Sequence, residues 1–159
     1  MNNVYQILKE KNITLPDAPA KGGVYTPALE FGDRFIYCSG CGPALSNGET
    51  VVGRLGETLT VEQGQHAAYN CMLNLLANLQ AVLGDLNRIK RFVKVLAFVN
   101  SADSFDCQPL VVNGGSQLLV DLFGEKAGCP ARTAIGVNTL PGGIAVEIEV
   151  LVEIEAGGA

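Results

Sequence analysis

The chain has no tryptophan, a single histidine and no apolar run of membrane length. A transmembrane helix needs about 18 or more consecutive apolar residues, so no span is expected. No cationic stretch followed by an apolar run opens the sequence, so a secretory leader is not expected and a cytoplasmic location is. Charge is scarce at 17% of residues, against about 25% in ordinary globular chains. Positive charge is scarcer still. Eleven Lys and Arg face sixteen Asp and Glu, a net charge of −5, whereas a nucleic-acid-binding domain carries a cationic footprint and a pI above about 9. The one dense basic stretch is Arg88, Lys90, Arg91 and Lys94, too small to follow a phosphate backbone. Cysteines number five, and an odd count fits reduced thiols better than a disulfide framework.

What is present fits one globular domain over residues 1–159, with residues 1–22 as an N-terminal extension. Apolar residues make up 48%, which excludes intrinsic disorder. A surface this short of charge is expected to be partly covered by a partner, and a second copy of the chain is the simplest one.

Pattern and punctuation place the elements. Val4, Ile7 and Leu8 make one apolar stripe on a short helix over Asn2–Asn12, ended by Pro16, Pro19 and Gly22-Gly23. Strands are expected at Val24–Glu30 and Arg34–Ser39 around a Gly32-Asp33 turn, with a third at Thr50–Leu55. Val61–Leu83 reads as a long helix. Ala68, Cys71, Met72, Leu75, Leu79, Val82 and Leu83 recur at helical spacing, Thr60 and Gln63 form a capping box, and Gly84 stops it. Arg91–Val99 predicts a strand covered on both faces. Pro109–Phe123 predicts a second helix, where Gly114-Gly115 marks close backbone packing or a weak spot. Thr133–Asn138 and the alternating Ala145–Glu155 predict the last strands, joined by the Leu140–Gly143 turn as an antiparallel neighbouring pair. The order β-β-β-α-β-α-β-β implies an α+β fold, one mixed sheet with two helices on one face. The other face lacks a third layer, which again points to oligomerisation.

Few residues could carry chemistry. Cys38-Ser39-Gly40-Cys41 has C-x-x-C spacing, but no second such pair completes a zinc site and no helix follows to activate a thiol. His66 lies mid-helix and reads as a solvent-facing residue, and no phosphate-binding glycine motif is present. Arg132 opens an apolar strand with no acidic neighbour in sequence. A guanidinium there needs a carboxylate, either one of the glutamates of the last strand or the carboxylate of a substrate held by two parallel hydrogen bonds. Glu147 shares its strand face with Glu149, Glu153 and Glu155. That pattern is either a solvated acidic face or the source of one carboxylate that holds a water near Arg132.

Cys129-Pro130-Ala131-Arg132, the apolar strand after it, Leu140-Pro141 and Val146-Glu147-Ile148-Glu149 together resemble the signature of the Rid family. That family is also called YjgF-like and carries the older label endoribonuclease L-PSP. Tyr37-Cys38-Ser39-Gly40, Gly84–Ile89 and Asn113-Gly114-Gly115-Ser116 fit the same pattern, so the likeness runs from about Tyr25 to Ile154. The N-terminal helix and the segment from Val112 to Glu125 look like a longer subgroup of it. The resemblance implies a chorismate-mutase-like fold and a homotrimer with sites in clefts between subunits. It also implies hydrolysis of reactive 2-imino or enamino acids to 2-keto acids and ammonia, without metal or organic cofactor. By the same likeness, Arg132 matches the arginine that binds the substrate carboxylate and Glu147 the glutamate that positions water. Tyr25, Ser39 and Asn113 match pocket positions. Many members carry a cysteine two residues after the arginine, where this chain has Ala134. Two other readings share these residues: a trimer that binds small carboxylates without turnover, and an endoribonuclease or translation inhibitor. The low pI and single histidine argue against the last.

Overall fold

Helix α2 (Val61–Leu83) forms as its sequence dictates. In this computed structural model, which describes residues 3–155, the Thr60 side chain accepts from Gln63 N at 3.2 Å and the Gln63 side chain accepts from Thr60 N at 2.9 Å. Gly84 adopts a left-handed φ of 74°, and its N–H closes the last turn on Gln80 O. Ala68, Cys71, Met72, Leu75 and Leu79 are buried, while Val82, at the margin of the stripe, stays exposed.

Around α2 lie α1 (Val4–Glu10), β1 (Ala28–Phe31), β2 (Phe35–Cys41), β3 (Ile89–Asn100), α3 (Gln108–Gly128), β4 (Ala131–Val137) and β5 (Val146–Ile154). Asn2, at the head of the expected first helix, is outside the described residues. The five strands form one mixed sheet in the order β1-β2-β5-β3-β4. The α+β class and the helices α2 and α3 on one sheet face are as expected. Both pack on the side where Val95, Ala97, Val146, Ile148 and Val150 are fully buried.

Two expectations fail, each for a local reason. Thr50–Leu55 is not a strand. Val52 makes an isolated bridge to Ile144, Leu55 bridges Leu59 and Ser101, and Gly53 at φ 135° breaks the run between them. More consequentially, β4 and β5 are not neighbours. β4 runs parallel to β3, with Arg132 opposite Val95, and β5 is antiparallel to β3 on its other side. The Leu140–Gly143 segment does not fold back as a hairpin. Gly142 and Gly143, both at positive φ, carry the chain over the end of β3. There Ser101 N donates to Val137 O and Asn100 N to Ala145 O.

Helix α3 meets α2 through glycine. A Cβ at Gly114 would lie 2.1 Å from Gln65 O, and one at Gly115 would lie 2.7 Å from Ala68 O. These are backbone atoms, so only hydrogen at those positions allows the approach. Gly124 leaves helical geometry at φ 75° and marks the break expected after Phe123, although a further turn runs to Gly128.

On the opposite sheet face Leu29, Phe31, Tyr37 and Ile135 remain exposed. The double cover expected for β3 is therefore present on one side of the single chain. The acidic face of β5 is not simply solvated. Glu153 is buried, and it accepts from Lys90 at 3.0 Å and Arg91 at 2.6 Å, with Arg34 at 3.9 Å. Hydrogen bonds from Lys90 first, and then Arg91, hold its carboxyl below the usual range.

Two substitutions test this packing. Leu75→Ala is expected to cost about 2–5 kcal/mol in chemical unfolding, since the site is fully buried. Gly114→Ala is expected to destabilise as well despite its better helix propensity, because the methyl must displace a backbone carbonyl. A Gly114→Ala variant as stable as its parent would refute the close helix contact.

Candidate functional site

Arg132 stands at the start of the edge strand β4. It shares its sheet face with its partner Val95, so its side chain lies on the α3 side. Nη1 donates to Asn113 Oδ1 at 2.8 Å and to Ser116 Oγ at 3.0 Å, and Nη2 donates to Pro109 O at 3.3 Å. Asn113 and Ser116 are one helical turn apart on α3, and Gly114-Gly115 between them fixes that turn against α2. Among the described residues no carboxylate pairs with Arg132. The expectation that a glutamate of the last strand satisfies it does not hold, because β3 stands between the two strands. A guanidinium has five N–H donors, so Nε–H and one Nη2–H remain. Together they form the side edge that suits a carboxylate.

Glu147 sits on β5 opposite Phe98, on the other sheet face. It is half-buried. Burial first, and the charge of Glu149 second, push its carboxyl above the usual range. Tyr37 donates its hydroxyl proton to Glu149, and no described side chain donates to Glu147. Glu147 lies against Gly40, where a Cβ would be 2.2 Å from Oε1. The glycine of the Ser39-Gly40 pair thus makes room for the carboxylate.

Beside Gly40 is a cavity of ≈160 Å³ lined by Tyr25, Ser39 and Gly40, by Asn74 and Asn78 of α2, and by Lys21 of the N-terminal segment. Ser39 Oγ donates to Thr26 O at 2.6 Å, and Tyr25 Oη accepts from Gly22 N at 3.1 Å. The C-x-x-C cysteines are structural here. Cys38 and Cys41 are buried free thiols, pushed up by burial to about 12 and about 11. His66 is half-exposed and paired with Glu49.

The structure thus gathers the expected site residues into two groups. Tyr25 and Ser39 line one cavity, with Glu147 against its Gly40. Arg132 and Asn113 are hydrogen-bonded to each other elsewhere. In one chain Arg132 and Glu147 lie on opposite faces, roughly 10 Å apart across the strands and roughly 10 Å along them. Residues missed from the sequence are Ser116, Lys21, Asn74 and Asn78. The asparagines had a signal. Asn70, Asn74 and Asn78 place three amides at four-residue steps in an otherwise apolar helix, and all three are buried. Asn74 Nδ2 donates to Gly42 O at 3.0 Å and Ala44 O at 2.8 Å, holding the loop after β2.

Over residues 7–148 the chain matches the family model described as "YjgF/chorismate_mutase-like, putative endoribonuclease". Protein TCP17 of Trypanosoma cruzi is 44% identical over 147 residues, 92% of this chain and 91% of that protein. The crystal structure of Atu1372 from Agrobacterium tumefaciens, a protein of unknown function, superposes with a TM-score of 0.87 at 39% identity, covering 96% of this chain and 92% of that one. RidA from an Antarctic Psychrobacter superposes with a TM-score of 0.60 at 28% identity, covering 87% and 94%.

The raised carboxyl of Glu147 has a consequence for stability. Its folded-state pKa exceeds its unfolded one, so ionisation erodes stability as pH rises through the folded value, while below the unfolded value nothing is lost. Glu147→Gln is therefore expected to melt above its parent at pH 7, with the gap closing at about pH 4. Equal melting temperatures at both pH values would show that the carboxyl is not strained by burial.

Proposed function

The chain belongs to the YjgF/chorismate mutase-like family, and on that premise we propose that it hydrolyses 2-imino acids to 2-keto acids and ammonia in clefts between the subunits of a homotrimer. The observation that carries this reading is Arg132, oriented by Asn113 and Ser116, with its side edge of N–H donors uncommitted. That edge takes the substrate carboxylate. Glu147, whose carboxyl burial and the neighbouring Glu149 push above its usual range and which has no described donor, takes the water.

The two halves stand apart in one chain, so a working site joins Arg132 and Asn113 of one subunit to Glu147, Ser39 and Tyr25 of the next. The exposed Leu29, Phe31, Tyr37 and Ile135 supply apolar surface for that association. The chemistry balances simply. Water forms a C–O bond to the protonated imine carbon and gives a proton to Glu147. That proton passes to the nitrogen, Glu147 then takes the proton of the new hydroxyl as the C–N bond breaks and the carbonyl forms, and the keto acid and ammonia leave. Most of the acceleration is orientation of a water at a carbon that is already electrophilic.

The ribonuclease in the family description finds less support. His66 is paired with Glu49, and the half-exposed cations Arg34, Lys90 and Arg91 gather on Glu153. An RNA backbone would need such cations uncommitted.

An amino-acid oxidase or dehydratase that generates the imine, with imine decay followed in the presence of this protein, tests the reading. Arg132→Lys keeps the charge and loses the fork, so kcat/KM is expected to fall about tenfold or more. Glu147→Gln is expected to lower kcat about 10²-fold with KM little changed. The acid limb of the parent's pH profile should lie above the ordinary carboxylate range. Sedimentation should give a trimer. Mixing Arg132→Ala and Glu147→Ala subunits should restore activity to about a quarter of the sites, since a closed ring recombines halves at random. A monomer at micromolar concentration, or no recovery on mixing, overturns the shared site. Retained binding of 2-keto acids with no imine hydrolysis replaces the enzyme with a carboxylate-binding trimer.

A further inference from the structure

We propose that the cavity beside Glu147 receives a second acidic group of the substrate, so that the preferred substrates are 2-imino dicarboxylic acids and Lys21 is the residue that selects them. This rests on the site reading above and names its substrate class.

The cavity's outer wall comes from the N-terminal extension. That extension is tied down along its length. Val4 and Leu8 of α1 are buried, Val4 N donates to Asn87 Oδ1 at 2.9 Å, and Leu86 N donates to Tyr5 Oη at 2.8 Å. Further on, Asp17 N donates to Ser46 Oγ at 3.2 Å and Gly22 N to Tyr25 Oη at 3.1 Å. Lys21 lies between these last two ties, on a segment held against the rest of the chain.

Lys21 is the one charged residue among those that line the cavity, and no acidic residue lines it. Among the described residues Lys21 enters no ion pair. The cavity's lining offers donors besides the ammonium of Lys21. Tyr25 Oη already accepts from Gly22 N, so its own proton is free to be given. Asn78 Nδ2 spends one hydrogen on Cys41 Sγ at 3.2 Å and keeps another. With the ammonium of Lys21 these make three donors on residues that line one cavity, and a carboxylate is the group that can accept from all three. Ser39 gives its proton to Thr26 O and both Asn74 N–H groups are used, while the buried Asn74 Oδ1 is an acceptor without a described partner on the inner wall.

Size and position agree with that assignment. A volume of ≈160 Å³ is about five liquid-water volumes, room for a short acidic side chain and little more. Gly40 lines the cavity and touches Glu147. In the shared site proposed above the imine carbon faces Glu147 and the first carboxylate lies on Arg132, and we place the substrate's side chain past Gly40, in the cavity that Lys21 lines. Alkyl side chains would leave the ammonium without a partner there, whereas a second carboxylate meets it.

The experiment compares imines made in place by oxidases acting on aspartate or glutamate with those made from leucine or 2-aminobutyrate. It adds calorimetric binding of 2-oxoglutarate against 2-oxobutyrate. The expected parent preference in kcat/KM is at least tenfold for the dicarboxylic imines. Lys21→Met should narrow that ratio at least tenfold through KM, and Lys21→Arg should keep most of it. Lys21 is exposed, so these variants leave the core intact. Imine hydrolysis without a dicarboxylic preference overturns this proposal and leaves the site reading standing. A preference indifferent to Lys21→Met overturns the role of Lys21. If neither imine class is hydrolysed, the site reading fails, and the calorimetry then decides alone. Tighter binding of 2-oxoglutarate that is lost in Lys21→Met upholds the acid-binding cavity, and equal binding of the two keto acids rejects it.

Discussion

Two parallel strands cannot be joined by a turn. β3 and β4 run side by side in the same direction, so the chain between them must travel back the full length of the sheet, and α3 does so. That one crossover sets the rest of the architecture. It places β4 at the sheet edge, which leaves β5 to pair with β3 from the other side. It also brings the length of α3 across α2, and Gly114-Gly115 let the two backbones approach until carbonyl oxygens would touch any added methyl. Arg132 begins the edge strand just where α3 presents Asn113 and Ser116, so helix contact, strand direction and guanidinium orientation form one connected constraint.

The electrostatics of the two halves are opposite in kind. Arg132 is surrounded by neutral acceptors that aim it without neutralising it. Glu147 is surrounded by burial and by a second carboxylate that disfavour its charge. A guanidinium with no carboxylate partner among the described residues and an acid made reluctant to ionise suit a binding and a proton-handling role respectively. Glu153 shows the contrast. It lies on the same strand and face, yet Lys90 and Arg91 keep it ionised, and it acts as a structural tie between the start of β3 and the end of β5.

The N-terminal segment packs on the sheet-and-helix plan and takes part in the cavity. It is anchored through α1 and returns to wall the cavity beside Ser39 and Gly40. A segment held on a ready-made cavity can change what the cavity accepts without disturbing the strands beneath it.

Local physics made much of this legible in the residues. The capping box at Thr60 and Gln63, the stop at Gly84, the alternation of β5 and the packing role of Gly114-Gly115 each depend on neighbours within a few positions or on helix and strand periods. The run Cys129–Arg132 with Glu147 carried the family. Other features depend on which distant segments meet, and sequence spacing does not contain that. The short connection from β4 to β5 suggested a hairpin, but β3 claimed both strands. Thr50–Leu55 had strand-forming residues and no free strand to pair with. Lys21 gave no sign of facing a cavity, because its neighbours there come from β2 and α2. The sequence alone determined the two long helices, the strands that pair in the sheet, the face each helix buries and which side chains are candidates for chemistry, because those derive from period, caps and residue chemistry. Only the tertiary structure decided that Arg132 and Glu147 stand on opposite faces of one sheet, because strand order is set by long-range hydrogen bonding and by the crossover that α3 must make.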